Sequence, residues 1–186
     1  MIRFIILLLL LFSCSSASIT LDKEFKSLNN FTIEYLFDET NTLNISDVSN
    51  KEFREKISNQ FALGYKKGSN WFKFTITNRS NKNRFILHFN EVVFENFDFY
   101  ALENAIWKEQ KNGFSVPLNE KDIKDITPSF EININKNETK TYFIEAKTAC
   151  SNLGEFQLYE YDSFRIEHKS FLDSMYMIYF GILLLV

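Results

Sequence analysis

Between Phe31 and Tyr161 the apolar residues return at every second position, in one run after another. Phe31, Ile33, Tyr35 and Phe37 alternate with Thr32 and Glu34. Phe72, Phe74 and Ile76 alternate with Trp71, Lys73, Thr75 and Thr77, and Phe85, Leu87 and Phe89 with Arg84, His88 and Asn90. Phe97, Phe99 and Ala101 continue the pattern, as do Phe130, Ile132 and Ile134, then Tyr142, Ile144 and Ala146, then Phe156 and Leu158. A period of two puts one residue class on each side of an extended strand, whereas a helix needs 3.6. Strands with one apolar and one polar side belong to antiparallel sheets packed face to face, not to the doubly covered parallel sheets of Rossmann folds or TIM barrels. An aromatic share of 17%, with 21 Phe and 8 Tyr, suits such pleated surfaces. The spacing predicts an all-β fold: a jelly-roll-like antiparallel β-sandwich with short helices and a C-terminal membrane-entry helix. Its core is expected to hold Phe72, Phe74, Ile76, Leu87, Phe89, Ile132 and Ile144.

Polar stretches separate the runs. Asn78 to Asn83 predicts a hairpin between two strong strands, and Lys111-Asn112-Gly113 a second one. Asn135 to Glu138 joins two further runs, and Ser151 to Gly154 predicts a fourth turn. Ser49 or Asn50 is placed to cap a short helix carrying Phe53 and Ile57, and a second helix is expected after Asp162. The heavy use of Asn and Lys reads as a coding bias, so single Asn residues carry little weight. For the same reason the sequons at Asn30, Asn44, Asn78 and Asn137 read as chance.

The two ends differ from the middle. Residues Met1 to Ser18 read as a secretory signal, with Arg3, an apolar run from Phe4 to Phe12, and Ser15-Ser16-Ala17 as a small-x-small cleavage site. Leu11-Phe12-Ser13-Cys14 also resembles a lipobox, so cleavage near Ala17 and lipidation of Cys14 both stand. Either way Cys150 has no partner, and it is expected to act as a buried small hydrophobe. Met175 to Val186 carries no charge, and its length as a helix, about 18 Å, is short of the roughly 30 Å of a bilayer core. It reads as the opening of a membrane helix cut short, with Tyr176, Tyr179 and Phe180 at the interface. The expected organisation is a signal over 1–18, one domain over 19–170, and the start of the first transmembrane helix over 171–186.

Function classes narrow by exclusion. A chain that is 45% hydrophobic and 24% charged is not disordered, and a net charge of −3 gives no footprint for nucleic acid. The chain holds no G-x-S-x-G, H-E-x-x-H, Walker loop or G-x-G-x-x-G. His88 and His168 lack the spacing of metal ligands or a triad and are expected to be solvated. No enzyme activity, cofactor or metal is expected.

The order of segments carries a resemblance. Ile33-Glu34-Tyr35-Leu36-Phe37-Asp38-Glu39 is followed by Leu43-Asn44-Ile45-Ser46-Asp47-Val48, Leu63-Gly64-Tyr65 and the strand from Asn70 to Asn78. Asn96 to Tyr100, Tyr142 to Ala146 and Met177 to Leu183 complete it. Together they resemble the type 2 extracellular sensor domain of bacterial seven-transmembrane receptors with diverse intracellular signalling modules. The resemblance implies a periplasmic sensor domain on the inner membrane that binds carbohydrate or another small ligand. It also implies seven membrane helices and a cytoplasmic effector, a diguanylate cyclase or histidine kinase, that this sequence does not include. The family often has Arg where Lys73 stands. Two other readings remain: a membrane-tethered lipoprotein or interaction module without a small ligand, and a secreted enzyme.

A binding face follows from strand parity. Trp71 and Lys73 lie on the side of their strand opposite Phe72 and Phe74, offering an aromatic plate and a donor. Glu145 and Lys147 share the polar side of another strand, where they could bond to ligand hydroxyls. The plain alternative is that Trp71 packs beneath a loop and the charges are solvated.

Overall fold

The structure, a computed structural model, describes residues 17–184. The expected signal over 1–18 lies outside the described residues except for Ala17 and Ser18, the latter the first residue of β1, and Cys14 lies outside them. Twelve strands, two α-helices and one short 3-10 helix (Leu118–Glu120) are formed among the described residues. They run β1 (Ser18–Leu21), β2 (Ser27–Leu28), β3 (Thr32–Asp38), α1 (Ile45–Ser49), β4 (Glu55–Ser58), β5 (Gln60–Gly64) and β6 (Ser69–Asn78). Then come β7 (Arg84–Phe89), β8 (Asn96–Glu103), β9 (Ile106–Gln110), β10 (Ser129–Asn133), β11 (Thr139–Lys147), β12 (Asn152–Glu160) and α2 (Tyr161–Leu184).

Two sheets result. The first has the order β4-β3-β6-β11-β8-β9, with β1 parallel to the end of β6 where β3 has left it. The second has the order β10-β7-β12, with β2 and β5 sharing the far edge of β12. From β6 onward the chain crosses repeatedly between sheets, as in a jelly roll. The β-sandwich expected from the alternation is therefore present.

The apolar faces meet in an aromatic core. Phe72, Phe74, Ile76, Leu87, Phe89, Ile132 and Ile144 are all buried, as their parity predicts. Phe156 on β12 is its centre, with ring centroids 4.9 Å from Phe74 and Phe89 and 5.1 Å from Phe72. Gly154 lets β12 come this close: a Cβ there would overlap the Phe89 ring, and its φ of +150° suits glycine.

Several connections differ from the expected ones. Asn78 to Asn83 is not a hairpin, because both edges of β6 are already occupied and β7 lies in the other sheet. The Asn78 side chain instead makes a corner, donating to Lys82 O (2.7 Å) and Ile134 O (2.8 Å) and accepting from Ser80 N (2.8 Å). The hairpin expected at Asn112-Gly113 is found earlier, between β8 and β9, where Asn104 and Ala105 both have positive φ. The residues of the fourth predicted turn, Asn152 onward, belong to β12. The short helix begins sooner than expected: Asn44 caps it, accepting from Ser46 N and Asp47 N, while Asp47 accepts from Asn44 N. Ile57 falls on β4, opposite Ile33.

His88 is buried rather than solvated, because α2 covers the outer side of β7. Its ring packs against Phe164 and Tyr159, and Nδ1 lies 2.9 Å from Ser129 Oγ. The side chain of His168 lies outside the described residues. Cys150 is a free, exposed thiol, not a buried one, because it falls in the loop between β11 and β12. Helix α2 follows β12 with no intervening residue. Among the described residues, no helix is long and apolar enough to cross a membrane.

Candidate ligand site

The outer side of the first sheet brings the four expected residues together. Register sets Trp71 on β6 beside Glu145 on β11, and Glu145 beside Asp98 on β8. The neighbouring row runs Glu34, Lys73, Phe143, Tyr100 and Glu109 across five strands. Adjacent strands are about 4.8 Å apart, so each row is a continuous strip of side chains.

Trp71 is fully buried. It packs with Val48, Phe53, Tyr100 and Phe143 in a second apolar cluster, under the segment that carries α1. That segment is anchored by Asp38, whose Oδ1 accepts from Thr40 N (3.0 Å) and whose Oδ2 accepts from Thr42 N and Leu43 N (both 2.9 Å). Trp71 thus lies beneath a loop and presents no open plate. The sequence gives a partial signal for this: Leu43, Ile45 and Val48 are apolar residues in a segment that is not a strand.

The three charged residues have close partners. Lys73 Nζ is 2.9 Å from Glu34 Oε2 and 5.5 Å from the Phe53 ring centroid. Lys147 Nζ is 2.8 Å from Glu145 Oε1, which also accepts from Ser69 Oγ at 2.9 Å. Lys73 and Lys147 therefore position carboxylates.

Asp98, which parity reasoning missed, carries the most strongly shifted carboxyl on this face. Its burial, then the Glu109 and Glu145 carboxylates, push its carboxyl up to about 6. Lys111 and a backbone hydrogen bond from Asn112 act in the other direction. Glu109 accepts from Tyr100 Oη at 2.9 Å. Asp98 Oδ1 and Trp71 Nε1 are both buried and without a hydrogen-bond partner among the described residues. A buried acceptor and a buried donor on one row, each left unpaired, are costly unless something bonds to them. An open cleft of about 510 Å³ begins beside this row, lined by Asn96, Glu109, Lys111 and Ser115. Among the described residues, no group of three or more His, Cys, Asp or Glu could hold a metal ion.

The family model described as 7TMR-DISM extracellular 2 matches residues 31–160. This span runs from the residue before β3 to the last residue of β12. No curated protein matches the chain.

Proposed function

The chain belongs to the 7TMR-DISM extracellular 2 family, an extracellular sensor domain of seven-transmembrane receptors, and from that premise we propose what it senses and where. The ligand is a small hydroxylated molecule of the carbohydrate class. It binds on the outer side of the first sheet, in the cleft that adjoins Asp98, with its inner end directed along the row toward Trp71.

The observation that carries this reading is the unpaired donor and acceptor. Hydroxyls both accept and donate, so separate hydroxyls of one ligand can answer Trp71 Nε1 and Asp98 Oδ1. Glu145, held by Lys147, stands between them on the row, and Lys73 fixes Glu34 at the neighbouring row. The domain stands in the periplasm, delivered by the signal over 1–18. The segment over 171–186 opens the first membrane helix and leads toward a cytoplasmic effector in the full receptor.

The test is calorimetry of the purified chain against a panel of neutral mono- and disaccharides and linear polyols. At least one member should bind the parent. Trp71→Phe keeps a ring but removes the N–H, and Asp98→Asn keeps the shape but turns an acceptor into a mixed group. Each should weaken binding tenfold or more. A panel with no binder refutes the ligand class. A binder unaffected by both changes refutes the location.

A further inference from the structure

We propose that the second sheet and α2 form one rigid lever, clamped at its base by Lys82, Arg84, Glu160 and Phe164, so that displacement of β12 is read out as displacement of α2. This holds whatever ligand the domain takes.

The first ground is continuity. Glu160 is the last residue of β12 and Tyr161 the first of α2, so no linker can absorb a rotation. Glu160 belongs to both elements. Its backbone N–H donates to Lys26 O at 2.7 Å, and its Oε2 accepts from Ser163 N (2.9 Å) and Ser163 Oγ (3.0 Å). That carboxylate caps the first turn of the helix, where free N–H groups favour negative charge. Burial pushes Glu160 up, but the hydrogen bonds from Ser163, Asp162 and Lys82 together hold it below the usual carboxylate range.

The second ground is a pair of cations that reach the helix from the β6–β7 corner and from β7. Lys82 Nζ lies 3.3 Å from Glu160 Oε1 and 3.6 Å from Asp162 Oδ2. The Arg84 guanidinium sits 3.7 Å from the centroid of the Tyr161 ring and donates through Nε and Nη2 to Glu131 on β10, each at 3.0 Å. One planar fork thus ties β10, β7 and the first residue of α2 together. The third ground is apolar. Phe164 is buried one turn along, its ring 5.5 Å from His88 on β7 and 5.4 Å from Tyr159 on β12.

Beyond this turn Arg165, Ile166 and Glu167 are exposed, and every contact of the clamp lies at the base. The 24 residues of α2 span about 36 Å at roughly 1.5 Å each, so a tilt of about 10° at the clamp moves the far end by about 6 Å. A packed joint of this kind turns small shifts in a sheet into rigid-body movement of the helix.

The test is the distance distribution between spin labels at Gln60→Cys on β5 and Met175→Cys on α2, in the full chain in detergent with Cys14→Ser and Cys150→Ser. Both label positions are exposed. The parent should give one narrow distance. Two glycines inserted between Glu160 and Tyr161, and separately Lys82→Ala with Arg84→Ala, should each at least double the width while the strand signal in circular dichroism is kept. A parent as broad as the insertion variant overturns the lever, and a clamp variant as narrow as the parent overturns the clamp. If the double variant loses its strand signal, Lys82→Ala alone, at a half-exposed lysine, decides: an unchanged width overturns the clamp and a broadened one supports it.

Discussion

The Trp71 indole stacks on the Tyr100 ring, with centroids 5.8 Å apart and planes at 28°, although β11 runs between the strands that carry them. The contact spans two inter-strand spacings and makes the outer side of the first sheet a second packed layer. Trp71→Ala should therefore destabilise the domain by about 3–5 kcal/mol, the usual cost of emptying a buried aromatic site. Urea unfolding followed by circular dichroism checks this. A midpoint equal to the parent's would mean that the indole is not packed as described.

Asp98 gives a pH signature of unusual sign for an aspartate. Its folded pKa, about 6, lies above the ordinary value of 3.8, so the folded state holds its proton more tightly than the unfolded one. Stability from this group is complete below about pH 4 and is lost as pH rises to about 6, after which it is flat. Asp98→Asn should remove that loss and raise stability at pH 7.5 by on the order of 2 kcal/mol. Melting temperatures of both proteins between pH 4 and pH 8 should converge at the acid end. Parallel curves would refute the shift.

Asp38 behaves in the opposite way. Burial pushes its carboxyl up, but the bonds from Thr40, Leu43 and Thr42 outweigh it and hold the group below its ordinary range. Its contribution is present above the ordinary aspartate value of about 4 and fades as pH falls through the lower folded value. Asp38→Ala should cost about 2–3 kcal/mol at neutral pH, since it releases charge-assisted bonds. It should also free the segment over Trp71, visible as a red shift in tryptophan emission. No red shift would mean that the segment is held elsewhere.

Phe156 is the ring most shared between the sheets, so its removal should be felt on both. Phe156→Ala should cost about 3–5 kcal/mol, and Phe156→Leu clearly less. Hydrogen exchange should rise on β6 and β7 together. Exchange confined to β12 would contradict its central place.

The core was legible because strand parity is a local property: Phe72, Phe74 and Ile76 needed no knowledge of their partners. Pairing was not legible, because it depends on which edges are free. Asn78 to Asn83 has the composition of a hairpin, yet β6 has no vacant edge there. The largest misreading concerned asparagine. Asn70 and Asn152 are fully buried and joined through Nδ2 and Oδ1 at 2.8 Å, while Tyr35 Oη donates to Asn70 Oδ1 at 2.8 Å and Asn152 Nδ2 donates to Gly64 O at 3.0 Å. This chain of amides links the two sheets, and a compositional bias hid it. Of the candidate site, the shared face of Trp71, Lys73, Glu145 and Lys147 follows from parity. That Trp71 lies beneath a loop was the plain alternative, but which segment covers it and the burial of Asp98 depend on residues distant in sequence.

The place of β12 in the second sheet sets an order of events. It lies between β7 on one side and β2 and β5 on the other, so β2 and β5 cannot join the β10–β7 pair without it. Among the described strands it is also the last in chain order. Until residues 152–160 arrive, β7 lacks its second neighbour within the sheet, and such non-local pairing is slow to nucleate. Assembly should therefore be late and all-or-none, completed by the segment whose next residue begins α2. A nascent chain that stops short leaves an open, adhesive sheet, whereas one that finishes folding has already aimed its helix.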